Sequence, residues 1–211
     1  VNMSYPKLKG FKIGHLNIAT LPKHIDELKL LMKELLFDIL CINETRLDNT
    51  INDNIIKIPG YDIVRRDRDR NGGAVAIYVR SIISYKNNIE IIPDNLESIC
   101  IEIHEPKSKP VLIVTWYCPP NTNTSILNDF ETLLLKLEDT NIDFIITGDL
   151  NCDMIAKNPT HLTKTLYDLI NESQLKQHIV SPTRIMPESK TLIDLIMTKS
   201  SNNKIIDCGV I

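Results

Sequence analysis

The sequence predicts an α/β domain, and three observations carry that expectation. Short, continuously apolar runs bounded by turn residues recur along the chain, as buried strands do. Between some of them apolar residues fall at three- and four-residue steps, as in amphipathic helices. A strand–helix–strand unit near the start is echoed in the second half. The 211 residues match one domain, against about 100–200 residues each. No low-complexity linker divides them, so residues 1–211 read as one unit.

The first strand is expected at Phe11 to Ile18, between Gly10 and Pro22. Ile25, Leu28, Leu31, Met32, Leu35 and Leu36 then space a helix, with Asp26, Glu27, Lys29, Lys33 and Glu34 on its other face. Phe37 to Ile42 is too continuously apolar to leave one face in water. Tyr61 to Arg65, Ala74 to Val79, Ile99 to Ile103 and Val111 to Tyr117 follow as strands. Turn signals at Asn71-Gly72-Gly73, Pro93-Asp94-Asn95 and Glu105-Pro106 separate them. Ser125 is placed as the N-cap of a helix running through Ile126, Phe130, Leu133, Leu134 and Leu137. Asp143 to Thr147 is a strand, and Thr160 opens a helix over Leu162 to Ile170. Leu192 to Met197 and Ile205 to Val210 are expected as closing strands.

The echo lies in FDILCINET and IDFIITGDLN, where an apolar strand enters through an Asp (Asp38, Asp143) and leaves through an acid (Glu44, Asp149). Two such units placed face to face bring Glu44 and Asp149 to matching strand ends. Apolar strands ending in an acid are common, and chance similarity is the competing reading.

Composition bounds the function. Lys and Arg number 24 against 27 Asp and Glu, a net charge of −3, which excludes a globally basic nucleic-acid wrapper and leaves room for a local patch. The apolar runs fall short of the ~18 residues a membrane span requires, so a soluble chain with no membrane partner is expected. Cys41, Cys100, Cys118, Cys152 and Cys208 are odd in number and show no CxxC, which fits reduced thiols in an intracellular compartment. The chain opens at Val1 with no basic-then-apolar leader, so no secretory signal is expected and the start reads as a cut.

Polar residues cluster where strands stop: Asn17, Glu44 beside Asn43, Tyr117, Asp149 with Asn151, and Asp194. Loops at strand ends are held by a rigid core while staying open to substrate. Carboxylate and amide oxygens are hard donors suited to Mg²⁺, and the absence of a His/Cys set argues against zinc. Taken singly, Asn17, Asp149 and Asn151 also read as ordinary turn formers. Glu44 is harder to dismiss, since Glu is not a favoured turn residue and it directly follows a run that should be buried.

Seven blocks sharpen this: GHLN at 14–17, CINET at 41–45, NGGAVAIYV at 71–79, YCPP at 117–120, GDLN at 148–151, SPTR at 181–184 and LIDLIMT at 192–198. In this order they resemble the endonuclease domains of non-LTR (LINE-type) retrotransposons. Those domains belong to the endonuclease/exonuclease/phosphatase superfamily, with abasic-site endonucleases and deoxyribonuclease I as relatives. The resemblance covers nearly the whole chain. It implies a four-layer α/β sandwich, two mixed sheets face to face with helices outside. It makes Glu44 the main Mg²⁺ ligand, with Mn²⁺ as a substitute ion, and has Asn17 assist metal and phosphate placement. Asp149 would orient or deprotonate the attacking water, Asn151 would hold the scissile phosphate and Tyr117 would donate to a phosphate oxygen. Thr183 would lie along the DNA backbone, and Asp194 would support the site; apart from the resemblance, the charge of Arg184 in SPTR makes it a second candidate backbone contact. The implied product is a nick with a 3′-hydroxyl end, from which a downstream reverse transcriptase domain primes in the nucleus.

The resemblance also implies a Ser-Asp-His block after the last strand, and Ile211 precedes the place where it is due, so a truncated and impaired fragment is expected. His15 alternates with Leu16 and Asn17 and is expected to be packed, not to act as a base. The one basic cluster, Arg65-Arg66-Asp67-Arg68-Asp69-Arg70, reads as an ion-paired hairpin tip, or else, through Arg68 and Arg70, as a phosphate contact beside the cleft. Two other functions compete: a superfamily phosphodiesterase or phosphatase acting on RNA or phospholipid, and a non-catalytic DNA-binding remnant.

Overall fold

Buried strands whose side chains alternate between two apolar environments dominate the architecture. The computed structural model describes residues 10–69, 71–202 and 205–211. In chain order the elements are β1 (Ile13–Asn17), α1 (Leu21–Leu35), β2 (Ile39–Asn43), β3 (Tyr61–Arg66), β4 (Val75–Arg80), β5 (Ser84–Asn87), β6 (Glu97–His104) and β7 (Val111–Tyr117). They continue with α2 (Ile126–Asp139), β8 (Asp143–Asp149), α3 (His161–Glu172), β9 (Leu175–Gln177), β10 (Arg184–Met186), β11 (Ser189–Thr191) and β12 (Asp194–Lys199).

Among the described residues these strands form a four-stranded sheet ordered β1-β2-β4-β3, a six-stranded sheet ordered β5-β6-β7-β8-β12-β9, and the β10-β11 hairpin. Both large sheets are mixed: β1–β2 and β7–β8 run parallel and the other pairs antiparallel. Strand alternation builds three apolar layers. Leu40, Ile42 and Tyr78 face α1, where they meet Leu21, Ile25, Leu28 and Met32. Ile39, Cys41, Val75, Ile77 and Val79 point the other way and pack against Ile99, Ile101, Ile103 and Ile113 of the second sheet. The opposite face of that sheet, with Leu112, Val114, Trp116, Phe144 and Ile146, is covered by α2 and α3. Helix, sheet, sheet and helices make the expected four layers.

Local signals explain the element ends. Pro22 in the first turn of α1 suits a position where no N–H partner is needed. Thr160 caps α3 by accepting from the Thr163 amide, whereas Ser125 stands at the N-cap of α2 without a side-chain cap bond. Residues 205–211, where a closing strand was expected, carry no regular structure. Ile206 is 90% exposed there, and the flank of β12 away from β8 is already paired with β9. Strands β5, β9, β10 and β11 were not anticipated.

Candidate active site

The parallel pairs β1–β2 and β7–β8 deliver their C-terminal ends to one rim. In the first sheet Asn17 lies in register with Asn43, one residue before Glu44. In the second, Asp149 ends β8 and is the register partner of Asp194 at the start of β12. Asn43 joins the two sheets: its buried side chain donates to Thr115 Oγ1 at 3.1 Å and accepts from the Asp149 amide at 2.7 Å.

Loops beyond the strand ends are locked by backbone bonds. Thr20 and Leu21 donate to the carbonyls of Glu44 and Thr45, while Thr45 and Arg46 donate to Ala74 and Gly73. Ala19, Glu44, Arg46, Ala74 and Asn151 all hold positive φ between 48° and 66°. Each such non-glycine residue costs about 1–2 kcal/mol, and in this molecule several of them gather at one rim. Two glycines are explained by close approach. A Cβ on Gly148 would overlap the Trp116 carbonyl of the neighbouring strand, and one on Gly73 (φ 72°) would overlap the Glu97 carboxylate.

At the centre, the Asn17 amide donates to Glu44 Oε1 at 2.9 Å and to Asp149 Oδ2 at 2.7 Å. The Tyr117 hydroxyl donates to the same Glu44 oxygen at 3.1 Å. Asn151 donates its backbone N–H to Asp149 Oδ1 at 3.0 Å and its side-chain amide to the Cys118 carbonyl at 2.9 Å, leaving a second side-chain N–H for another acceptor. Burial first, and then Asp194, pushes the Asp149 carboxyl up to about 6, against the lowering effect of the Asn17 and Asn151 bonds. Burial and the Glu44 charge push the Tyr117 phenol up, so it stays a donor.

Asn17, Glu44, Tyr117, Asp149, Asn151 and Asp194 therefore converge, as the sequence led one to expect. Thr183 is used internally: its hydroxyl accepts from the Ile193 and Asp194 amides at 3.2 and 3.1 Å and fixes the start of β12. Arg184 is exposed on β10. Arg68 pairs with Glu97 at 3.0 Å and with Asp69 at 3.7 Å, and Arg65 with Asp67 and Asp53, both at 2.6 Å, so the cluster is ion-paired at these positions. Arg70 lies outside the described residues.

The contacts of three residues escaped sequence reading. His15 is packed, as expected, but its Nε2 also meets Asp194 Oδ1 at 3.2 Å, while burial lowers its pKa against the pull of Asp194. Arg46 places Nη2 3.4 Å from Glu44 Oε2, a cation beside the acidic centre. Asn43 is the inter-sheet joint. Asn43 and Arg46 flank Glu44 in the sequence, a local signal that His15 lacks.

The donor set is one of hard oxygens. Among the described residues no group of three or more His, Cys, Asp or Glu forms a self-sufficient metal cage. Glu44 and Asp149, linked by Asn17, fit a Mg²⁺ ion that takes one or two carboxylates and fills its shell with water and substrate phosphate.

The profile of the "Endonuclease/Exonuclease/phosphatase family" matches residues 11–209. No curated protein matches. The chain is similar in fold to the endonuclease domain of TRAS1, a telomere-specific non-LTR retrotransposon (TM-score 0.67, 13% identity, 90% of this chain and 85% of that one). It is likewise similar to the AP endonuclease LMAP from Leishmania major (TM-score 0.70, 14% identity, 90% and 79%). The catalytic domain of human Nocturnin is a third neighbour (TM-score 0.62, 13% identity, 90% and 82%).

Proposed function

The chain belongs to the endonuclease/exonuclease/phosphatase family, and from that premise we propose that it is a Mg²⁺-dependent phosphodiesterase that nicks DNA and leaves a 3′-hydroxyl end. The observation that carries this reading is the Asn17 amide bridging Glu44 and Asp149, one from each sheet, with the Tyr117 hydroxyl on Glu44. A bound Mg²⁺, with Mn²⁺ as its substitute, would be held by Glu44 with Asn17 assisting and would neutralise charge on the phosphate.

The chain's own residues supply the rest. Asp149 in its anionic form accepts the proton of the attacking water, and its orientation is fixed by Asn17 and the Asn151 amide. Tyr117 and the spare N–H of Asn151 face the same rim and donate to phosphate oxygens, where neutral donors offset the charge of a pentacovalent phosphorus. His15 holds Asp194, whose proximity keeps the Asp149 pKa raised. We propose further that the nick serves target-primed reverse transcription, with a reverse transcriptase in the same polyprotein as partner and the nucleus as the site of action; the seven sequence blocks that resemble non-LTR endonucleases support this reading.

The test is incubation of supercoiled plasmid with the protein and Mg²⁺: relaxation to open circles whose nicks a DNA polymerase extends supports the reading. Glu44→Gln is expected to slow this about 10²–10³-fold by removing a metal ligand; a variant as fast as the parent would remove Glu44 from its role. Preference for oligoadenylate or a phosphoinositide over plasmid would move the reading to another substrate class of the family.

A further inference from the structure

Arg46 sets a cation against the very acid that is proposed to hold a metal ion. The two oxygens of Glu44 are used differently. Oε1 accepts from the Asn17 amide at 2.9 Å and from the Tyr117 hydroxyl at 3.1 Å, which occupies both its lone pairs. Among the described residues Oε2 meets one donor, Arg46 Nη2, at 3.4 Å. Oε2 is therefore the oxygen with room for a further cation, and Arg46 stands beside it.

The backbone turns the two side chains toward each other. Glu44 and Arg46 take φ of 52° and 51°, a conformation uncommon for residues other than glycine. Its course is fixed by hydrogen bonds: the Glu44 carbonyl accepts from Thr20, and the amides of Thr45 and Arg46 donate to Ala74 and Gly73. The buried Nε of Arg46 has no partner, so that nitrogen does not anchor the guanidinium. The Arg46 side chain is 37% exposed, which makes its pair with Glu44 weak and readily exchanged. Other arginines near the rim are placed differently. Arg66 and Arg68 line a cleft beside Tyr117, and Arg68 is paired with Glu97 at 3.0 Å.

A divalent ion on Glu44 and the Arg46 guanidinium repel each other at such short range. A phosphate at the rim offers the guanidinium another acceptor, which it can engage through two N–H groups. We infer that Arg46 couples the metal to the polyanion: it holds down the affinity of Glu44 for a divalent ion in the free protein, and it passes to a phosphate oxygen when a phosphodiester binds, which releases Glu44 Oε2. The inference rests on the phosphodiesterase reading and adds a linkage to it, in which metal and strand strengthen each other's binding by the same factor.

Mn²⁺ alone is the first probe, since its free ion gives an electron paramagnetic resonance signal that binding removes. Arg46→Met keeps the aliphatic stem and Arg46→Gln a polar end, both without the charge, while Arg46→Lys retains it. Each neutral variant is expected to bind Mn²⁺ about three to ten times more tightly than the parent, and Arg46→Lys to stay within about twofold of the parent. The second probe is a fully phosphorothioate single-stranded oligonucleotide, which resists cleavage, followed by fluorescence anisotropy. Saturating Mn²⁺ is expected to tighten its binding to the parent about fivefold more than to the neutral variants. A side chain that merely braced the loop would give the reverse, weaker Mn²⁺ binding and a lower urea midpoint in both neutral variants. Mn²⁺ affinity in those variants equal to or below the parent's, or the same Mn²⁺ effect on oligonucleotide binding with and without the charge, would overturn the coupling; plasmid nicking by the parent would then leave the phosphodiesterase reading standing. A parent that neither binds Mn²⁺ nor nicks plasmid would bring down both.

Discussion

Asp149 concentrates the conflict between stability and chemistry in one side chain. It is 3% exposed, yet it lies beside Asp194 and Glu44, and two hydrogen bonds to its anionic form offset only part of that burden. Its pKa in the folded chain is about 6, above the ordinary carboxylate value of about 4. Between those two values the folded state keeps a proton that the unfolded state has shed, so this group's contribution to stability falls as pH rises from about 4 to 6 and stays unfavourable above. Asp149→Asn removes that burden along with the proton acceptor. In EDTA at pH 7.5 the variant is expected to melt about 2–4 °C higher than the parent, with the gain gone by pH 4, while plasmid nicking is lost. A gain equally large at pH 4, by differential scanning calorimetry, would contradict this account.

At the scale of elements, β7 and β8 hold the rim because their backbones approach unusually closely. Gly148 permits that approach, since any Cβ would run into the Trp116 carbonyl, which is fixed backbone. Gly148→Ala is expected to destabilise the fold by about 3 kcal/mol or more, read as a lower urea midpoint; a midpoint within error of the parent would show that the strands can part. Much of this architecture is legible in the sequence because buried strands write a strong local signal. Val111–Tyr117 is such a run, and its alternate residues sort cleanly onto two apolar layers. Ser84–Asn87 and the Arg184–Met186 and Ser189–Thr191 hairpin were missed because they are short, polar or exposed, and their strand character comes from a partner. The expected strand at Ile205 to Val210 did not form: Ile206 and Val210 are exposed, and the β12 flank opposite β8 is paired with β9 over Met197–Lys199. Glu44 and Asp149 could be read because each sits where an apolar strand ends. The His15–Asp194 contact could not, since 179 positions separate its partners.

For the whole molecule, the site depends on how the two sheets dock, because Glu44 and Asn17 belong to one and Asp149, Tyr117 and Asp194 to the other. The same docking sets the charge problem. A chain of net charge −3 must meet a polyanion through a few local cations. Those positioned to do so are Arg66 and Arg68 at the cleft, Arg46 beside Glu44, and the exposed Arg184. Two of them are already shared with carboxylates, Arg68 with Glu97 and Arg46 with Glu44, so phosphate contacts exchange ion pairs as well as release counterions. Four phosphate contacts on duplex DNA correspond to a slope of log affinity against log salt of about −3 to −4. Measured by fluorescence anisotropy with the Glu44→Gln variant in EDTA, where cleavage is blocked, the slope is expected to reach that value, and Arg66→Gln to flatten it by about one. A slope near zero would mean that these arginines do not touch phosphate. One steeper than about −8 would require a second basic surface, which an acidic chain with dispersed lysines does not present among its described residues.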